Sequence, residues 1–159
     1  MRNETQIGRT PLSVSAVCLI QTQFRQMIFP GLLLAALTLF PIPVEAQLRV
    51  ICWGNSGDGI TNVPPGLTNV RSIAAGYNHC LALLSNGTIV AWGNNSAGQT
   101  NGHISLTNIV AIAAGQEHNV ALRSNGTVFA WGGFNNNGEL TIPAGLSSVK
   151  AIAASGYHS

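Results

Sequence analysis

Three tryptophans, Trp53, Trp92 and Trp131, stand 39 residues apart, and the sequence around them recurs at the same interval. Asn86-Gly87-Thr88 returns as Asn125-Gly126-Thr127. Ile73-Ala74-Ala75-Gly76 returns as Ile112-Ala113-Ala114-Gly115 and, 40 residues further on, as Ile152-Ala153-Ala154-Ser155. His79, His118 and His158 keep the same step. The added residue of the third copy falls in the loop 133–137. A period of this length means one supersecondary unit per copy, each burying an apolar face against its neighbour.

Within a copy the units read as strands. Residues 80–84 and 89–92 are short, rich in β-forming side chains and joined by Ser85-Asn86-Gly87-Thr88. Asn-Gly supplies two residues tolerant of positive φ, the strongest short hairpin signal. A two-residue turn there sets Leu83 opposite Val90 and Leu81 opposite Trp92, with Ala82 opposite Ala91 on the other face. The next copy repeats this with Val120, Leu122, Phe129 and Trp131 against Ala121 and Ala130. The expectation is one bulky and one small face per sheet, interlocking large against small. The small side chains of Ile-Ala-Ala-Gly suit an inner strand near an axis. About sixteen polar residues with Gly and Pro connect the copies, and no helical period appears.

The pattern AIAAGxxHxxALxSNGTVxAWGxNxxGQ resembles the regulator of chromosome condensation repeat in its short bacterial form, as in the propeller-type secreted β-lactamase inhibitor protein. The resemblance covers residues 49–159 and implies an all-β fold built from propeller blades. Fewer than three copies fit, so the expected architecture is a partial β-propeller: an open arc of about three small antiparallel blades. The copies fall at about 49–87, 88–126 and an incomplete 127–159. On this reading the strand 49–54 lacks its hairpin partner, and 151–159 provides an inner strand and stops.

The lead differs in composition. Arg25 precedes an apolar run over 32–40, then Pro41, Pro43 and Val44-Glu45-Ala46, with small residues where a signal peptidase reads. Residues 1–46 are therefore expected to be a lead and signal peptide, cut before Gln47, with Met27 as a second candidate start. Nine apolar residues are too few to span a bilayer core of about 30 Å. The expected location is secreted, cell-surface or periplasmic, with no stable membrane anchor after cleavage. Cys18 falls in the lead. Cys52 and Cys80, on blades that should present them in the same sense, are expected not to confront each other and to remain free core thiols.

A charged fraction of 8 % and a net charge of +2, without a Lys/Arg run, oppose a nucleic-acid surface. They equally oppose carrying over the namesake's nuclear nucleotide-exchange activity. His79, His118 and His158 are equivalent structural positions that fan out around an axis, so no metal site is expected from them. His103 stands alone in a loop. Ser56, in Gly54-Asn55-Ser56-Gly57-Asp58, aligns with Asn95 and is a turn residue rather than a nucleophile. Asp58, Glu117 and Glu139 are unpaired for acid–base work, and calcium at Asn55, Asp58 and 135–137 would want more carboxylates. No catalytic residue, metal or cofactor is expected, and the tryptophans read as packing rather than a ligand ladder. Two sets of turns share one end of the blades. Their exposed Tyr77, Glu117, Phe134 and Tyr157 are the candidate binding residues for a protein partner. The resemblance implies the same mode of action. An enzyme acting on extracellular polymers, or a truncated gene product, are the alternative readings.

Overall fold

The computed structural model describes residues 16–24, 46–101 and 105–159. The apolar run 32–40, Val44-Glu45, Met27 and His103 lie outside the described residues. The described chain is all β, built of three antiparallel sheets. Strands β1 (Ala16–Phe24) and β2 (Ala46–Gly54) form a two-stranded sheet. The first complete blade is β3 (Val70–Ala75), β4 (His79–Leu84) and β5 (Ile89–Gly93). The second is β6 (Ile109–Ala114), β7 (His118–Arg123) and β8 (Val128–Gly132). Residues 138–159 then supply a connector and an inner segment of a third copy, closed only by a bridge between Ser155 and His158. The result is a partial β-propeller, an open arc of small blades.

The hairpin turn differs from the two-residue form expected of Asn-Gly. Leu84 N–H donates to the Thr88 carbonyl at 2.8 Å and Gly87 N–H to the Leu84 carbonyl at 2.9 Å, enclosing Ser85, Asn86 and Gly87. Gly87 has φ +82°, whereas Asn86 keeps a negative φ. The Asn86 side chain accepts the Thr88 N–H at 3.0 Å and holds the first part of the turn. This is the three-residue turn in which only the last position is left-handed. The extra loop residue moves the register by one, so the expected pairs are corrected: Leu81 faces Ala91, Ala82 faces Val90 and Cys80 faces Trp92. In the next blade Asn119 faces Trp131, and Val120 faces Ala130.

Because a one-residue slip exchanges the faces of a strand, the bulky and small faces are redistributed. One face carries Leu81, Leu83 and Ile89. The other carries Cys80, Ala82, Val90 and Trp92. Trp92, Cys80 and Ala82 pack on Val50, Cys52, Cys18 and Ile20 of the preceding sheet, over Ile60 and Val70. Leu81, Leu83 and Ile89 pack on Ala121 and Trp131 of the following blade, over Leu106 and Ile109. Each interface thus sets a tryptophan and small residues against an aliphatic face. Leu81 and Leu83 are wholly buried, contributing roughly 1.5–3 kcal/mol each.

Burying an indole requires a partner for its N–H. Trp92 Nε1 donates to the Ile60 carbonyl at 2.7 Å, and Trp131 Nε1 to the Gln99 carbonyl at 3.1 Å. Ile60 and Gln99 are themselves one period apart. The tryptophans of the complete blades are packing residues, as expected, but they sit opposite Cys80 and Asn119 rather than Leu81 and Val120.

Two expectations about the leading strand are overturned. Its partner is present: β1 pairs with β2 over nine positions, Val17 opposite Trp53 and Cys18 opposite Cys52. Cys52 is not free but joined to Cys18 by a disulfide of 2.06 Å. Nor do Cys52 and Cys80 avoid each other. With the corrected faces, the sulfurs of Cys18, Cys52 and Cys80 all lie within 4.8 Å of one another. Cys80 remains a free thiol, buried, with its Sγ 3.3 Å from that of Cys18.

Candidate binding surface

The turn between inner and middle strand is set by Gly and His. Gly76 N–H donates to the His79 carbonyl at 2.9 Å, Gly115 N–H to His118 at 2.8 Å, and Ser155 N–H to His158 at 3.0 Å. The His79 and His118 rings fold back over these glycines, leaving no room for a Cβ at Gly76 or Gly115. The recurring Gly-x-x-His is thereby explained by sterics.

The histidines also tie blade to blade. Buried His79 shares a 2.7 Å hydrogen bond between its Nε2 and Asn119 Oδ1, and His118 Nε2 meets Ser159 Oγ at 2.9 Å. Asn119 in turn donates from Nδ2 to the Gln99 carbonyl at 2.8 Å. An amide oxygen only accepts, so His79 carries its proton on Nε2. Burial holds His79 below the ordinary histidine range, with the Asn119 hydrogen bond opposing and His118 adding to the depression. Burial likewise lowers His118, against the pull of Glu139. These are neutral structural groups of neighbouring blades and do not converge on one point.

The turns themselves are stitched around the axis. Tyr77 N–H donates to the Gln116 carbonyl at 3.3 Å, and Gln116 N–H to the Gly156 carbonyl at 2.8 Å. Together with the alanines of the inner segments they line a funnel of about 260 Å³. The second set of turns reaches the same end. Asn94 N–H donates to the Asn78 carbonyl at 2.7 Å, and the Asn94 side chain reaches Asp58 Oδ1 at 3.1 Å. In the next blade the Glu117 carbonyl lies against Gly132 and Gly133, immediately before Phe134.

Of the expected binding residues, Tyr77 is 44 %, Tyr157 50 % and Phe134 65 % exposed, and Glu117 is half-buried. The structure brings Tyr77 to the funnel with Gln116 and Gly156. Tyr157 follows Gly156 but turns toward a separate groove beside His158. Phe134 stands on the loop beyond Gly133. Gln116, Asn119 and Gln99 were not singled out by the sequence. Gln99 is buried, its Oε1 accepting the Ala97 N–H at 2.8 Å and holding the loop after Trp92. Its signal was the Gly-Gln that closes the repeat pattern.

Among the three sulfurs, two are locked as a disulfide, which leaves one thiol and no thiolate set for a metal. Burial pushes the Cys80 thiol up to about 11, the behaviour of an inert core cysteine.

Residues 70–99 and 109–139 match the sequence model of the regulator of chromosome condensation (RCC1) repeat. These two segments are regulator of chromosome condensation repeats. Each spans a complete blade from inner strand to the loop after the outer one. A search of curated proteins finds no significant match. Among solved structures, RCC1 repeat proteins share the fold. Yeast RCC1 (Prp20) bound to Kap60 superposes with a TM-score of 0.54 and 24 % identity, over 67 % of this chain and 36 % of that one. Prp20p of Saccharomyces cerevisiae, described with its binding to Gsp1p and histones, gives 0.51 and 27 %, over 64 % and 30 %. The ectodomain of the Physcomitrella patens receptor kinase CR4 gives 0.50 and 24 %, over 67 % and 28 %. The chain spans about a third of the length of each.

Proposed function

We propose that the chain is an exported propeller module that binds a protein partner at the funnel end of its RCC1 repeats, through Tyr77, Glu117, Phe134 and Tyr157. The observation that carries this reading is the hydrogen-bonded succession of Tyr77, Gln116 and Gly156. Adjacent blades hold these turns rigidly, and half-exposed aromatic rings on a rigid frame bind at low entropic cost. The Prp20 structures, one a complex with Kap60 and one described with binding to Gsp1p and histones, are consistent with a surface of this kind. The side chain of Asp58 is engaged by Asn94, and Glu139 accepts the Asn137 N–H at 2.9 Å. That favours binding over acid–base chemistry.

Export rests on residues 32–40 and Val44-Glu45-Ala46. Cleavage before Gln47 cuts between β1 and β2, and the Cys18–Cys52 disulfide then becomes the covalent link between them. N-terminal sequencing of protein recovered outside the cell should give Gln47, joined by a lead-derived terminus where the disulfide has formed. An intact Met1 or Met27 terminus alone would refute export. For binding, Tyr77→Ala and Tyr157→Ala should lower retention of a partner from the extracellular fraction at least tenfold. Asn86→Ala, at the opposite end, should not. The reverse pattern would place the site on the Asn-Gly turns.

A further inference from the structure

The two ends of the arc lack complementary parts of one blade. At the head, β1 and β2 form a two-stranded sheet. Trp53 stands at the position of Trp92 and Trp131, so β2 corresponds to the outer strand β5 and β1 to the middle strand β4. No strand takes the place of the inner strand β3. At the tail, residues 149–154 continue the series Val70–Ala75 and Ile109–Ala114, the inner strands. Among the described residues nothing follows that corresponds to a middle or outer strand.

The exposed faces match as well. Inside the chain, the tryptophan-bearing face of one blade packs on the aliphatic face of the blade before it. Cys52 and Val50 of β2 already pack inward on the first complete blade. By alternation Ile51 and Trp53 point the other way, and Trp53 is 46 % exposed. At the tail, the face of β7 and β8 that carries Val128 and Ala130 borders a groove of about 470 Å³, closed on its far side by Ile142, Leu146 and Ile152. Ile142 and Leu146, both more than a third exposed, stand one period after Leu106 and its neighbours. Glu139 stands where Ile60 and Gln99 stand in the earlier copies. The carbonyls of those two accept an indole N–H, whereas that of Glu139 has only a 3.4 Å contact from Ser159 Oγ.

We propose that the occupant of the tail groove is the head of a second copy of this chain. The β1–β2 hairpin of one molecule completes the blade begun by residues 149–154 of another, with Trp53 in the groove and its indole donating to the Glu139 carbonyl. The head and tail are different surfaces, so the contact is heterologous and each added copy presents a fresh end. It covers both the apolar groove and the open strand edges, which otherwise invite indiscriminate association. The proposal requires neither export nor the funnel-end partner.

The test is sedimentation velocity on the full purified chain with one variant at each end. The wild type should populate oligomers that grow with concentration. Trp53→Asp damages only the head and Leu146→Asp only the tail, both at exposed positions. Each variant alone should sediment as a monomer. An equimolar mixture should form a 1:1 dimer and nothing larger, because the one good head meets the one good tail. Circular dichroism confirms that each variant is folded, and Trp53→Ala and Ile142→Ser provide milder substitutes. A monomeric wild type, oligomers indifferent to both substitutions, or a mixture that stays monomeric would overturn the proposal.

Discussion

Gly87 and Gly126 occupy equivalent positions in successive hairpins, with φ +82° and +81°, yet substitution by alanine should affect them unequally. Both variants place a Cβ in the left-handed region, at a cost of about 1–2 kcal/mol. Part of that is offset by the smaller entropy of the unfolded chain. At Gly87 the new Cβ meets nothing nearer than the Ile109 nitrogen at 3.4 Å, an ordinary contact. At Gly126 it would lie 2.8 Å from Ser148 Cα and 3.1 Å from the Ser148 nitrogen and carbonyl carbon. Those are backbone atoms, which cannot rotate away, and Val149 N–H donates to the Gly126 carbonyl at 3.1 Å just beside them. Relieving the overlap means moving the connector of the third copy, an overpacking cost of about 1–3 kcal/mol. Gly87→Ala should therefore lose about 1 kcal/mol and Gly126→Ala about 2–4 kcal/mol. Urea unfolding followed by tryptophan fluorescence, with m compared across variants, measures the difference. Equal losses at the two sites would refute the argument that the turn of one blade is clamped by the next.

Three further outcomes follow from the blade contacts. Asn119→Ala strands His79 Nε2 in a buried site and should cost about 1–3 kcal/mol, read as a lower urea midpoint. Acid should destabilise the fold. His79 and His118 are depressed in the folded state, so the unfolded chain takes up protons first, and stability is lost as the pH falls through the ordinary histidine value of about 6.5. A melting temperature flat between pH 7.5 and 5.5 would contradict this. Cys80 should resist alkylation in the native protein at pH 8 and react only on unfolding, since its thiol is buried and pushed up to about 11. Rapid native labelling, followed by mass spectrometry, would refute that.

How far the sequence could be read depended on whether a feature repeats. The Trp, Asn-Gly and Ile-Ala-Ala-Gly series recur at one step, and that step alone revealed blades, inner strands and turns before any coordinates. The hairpin register did not follow, because Asn-Gly serves both a two-residue and a three-residue turn. The choice rests on the Asn86 carboxamide capturing the Thr88 N–H, which keeps Asn86 out of the left-handed region. One residue of loop then exchanged the faces of β4 and β7. With them went the expected small face, the partners of the tryptophans and the separation of Cys52 from Cys80.

Strand β1 escaped for a different reason. Cys18 and Ile20 stand where Leu81 and Leu83, and then Val120 and Leu122, stand in the complete blades, and all belong to the aliphatic side of an interface. The alternation was therefore present in the lead. But 63 residues separate Cys18 from Leu81, against 39 from Leu81 to Val120, because residues 25–45 replace the short turn between the strands. A fixed-period search passes over such a segment. What identifies it is the requirement imposed by its neighbours: Cys80, Ala82 and Trp92 present a complete tryptophan-bearing face, and burying that face takes a two-stranded aliphatic surface. The same requirement, applied at Val128 and Ala130, asks for a hairpin bearing a tryptophan. Within this chain Trp53 is the half-exposed residue of that kind. The packing rule that accounts for β1 therefore also selects the head of a second copy as the occupant of the tail groove.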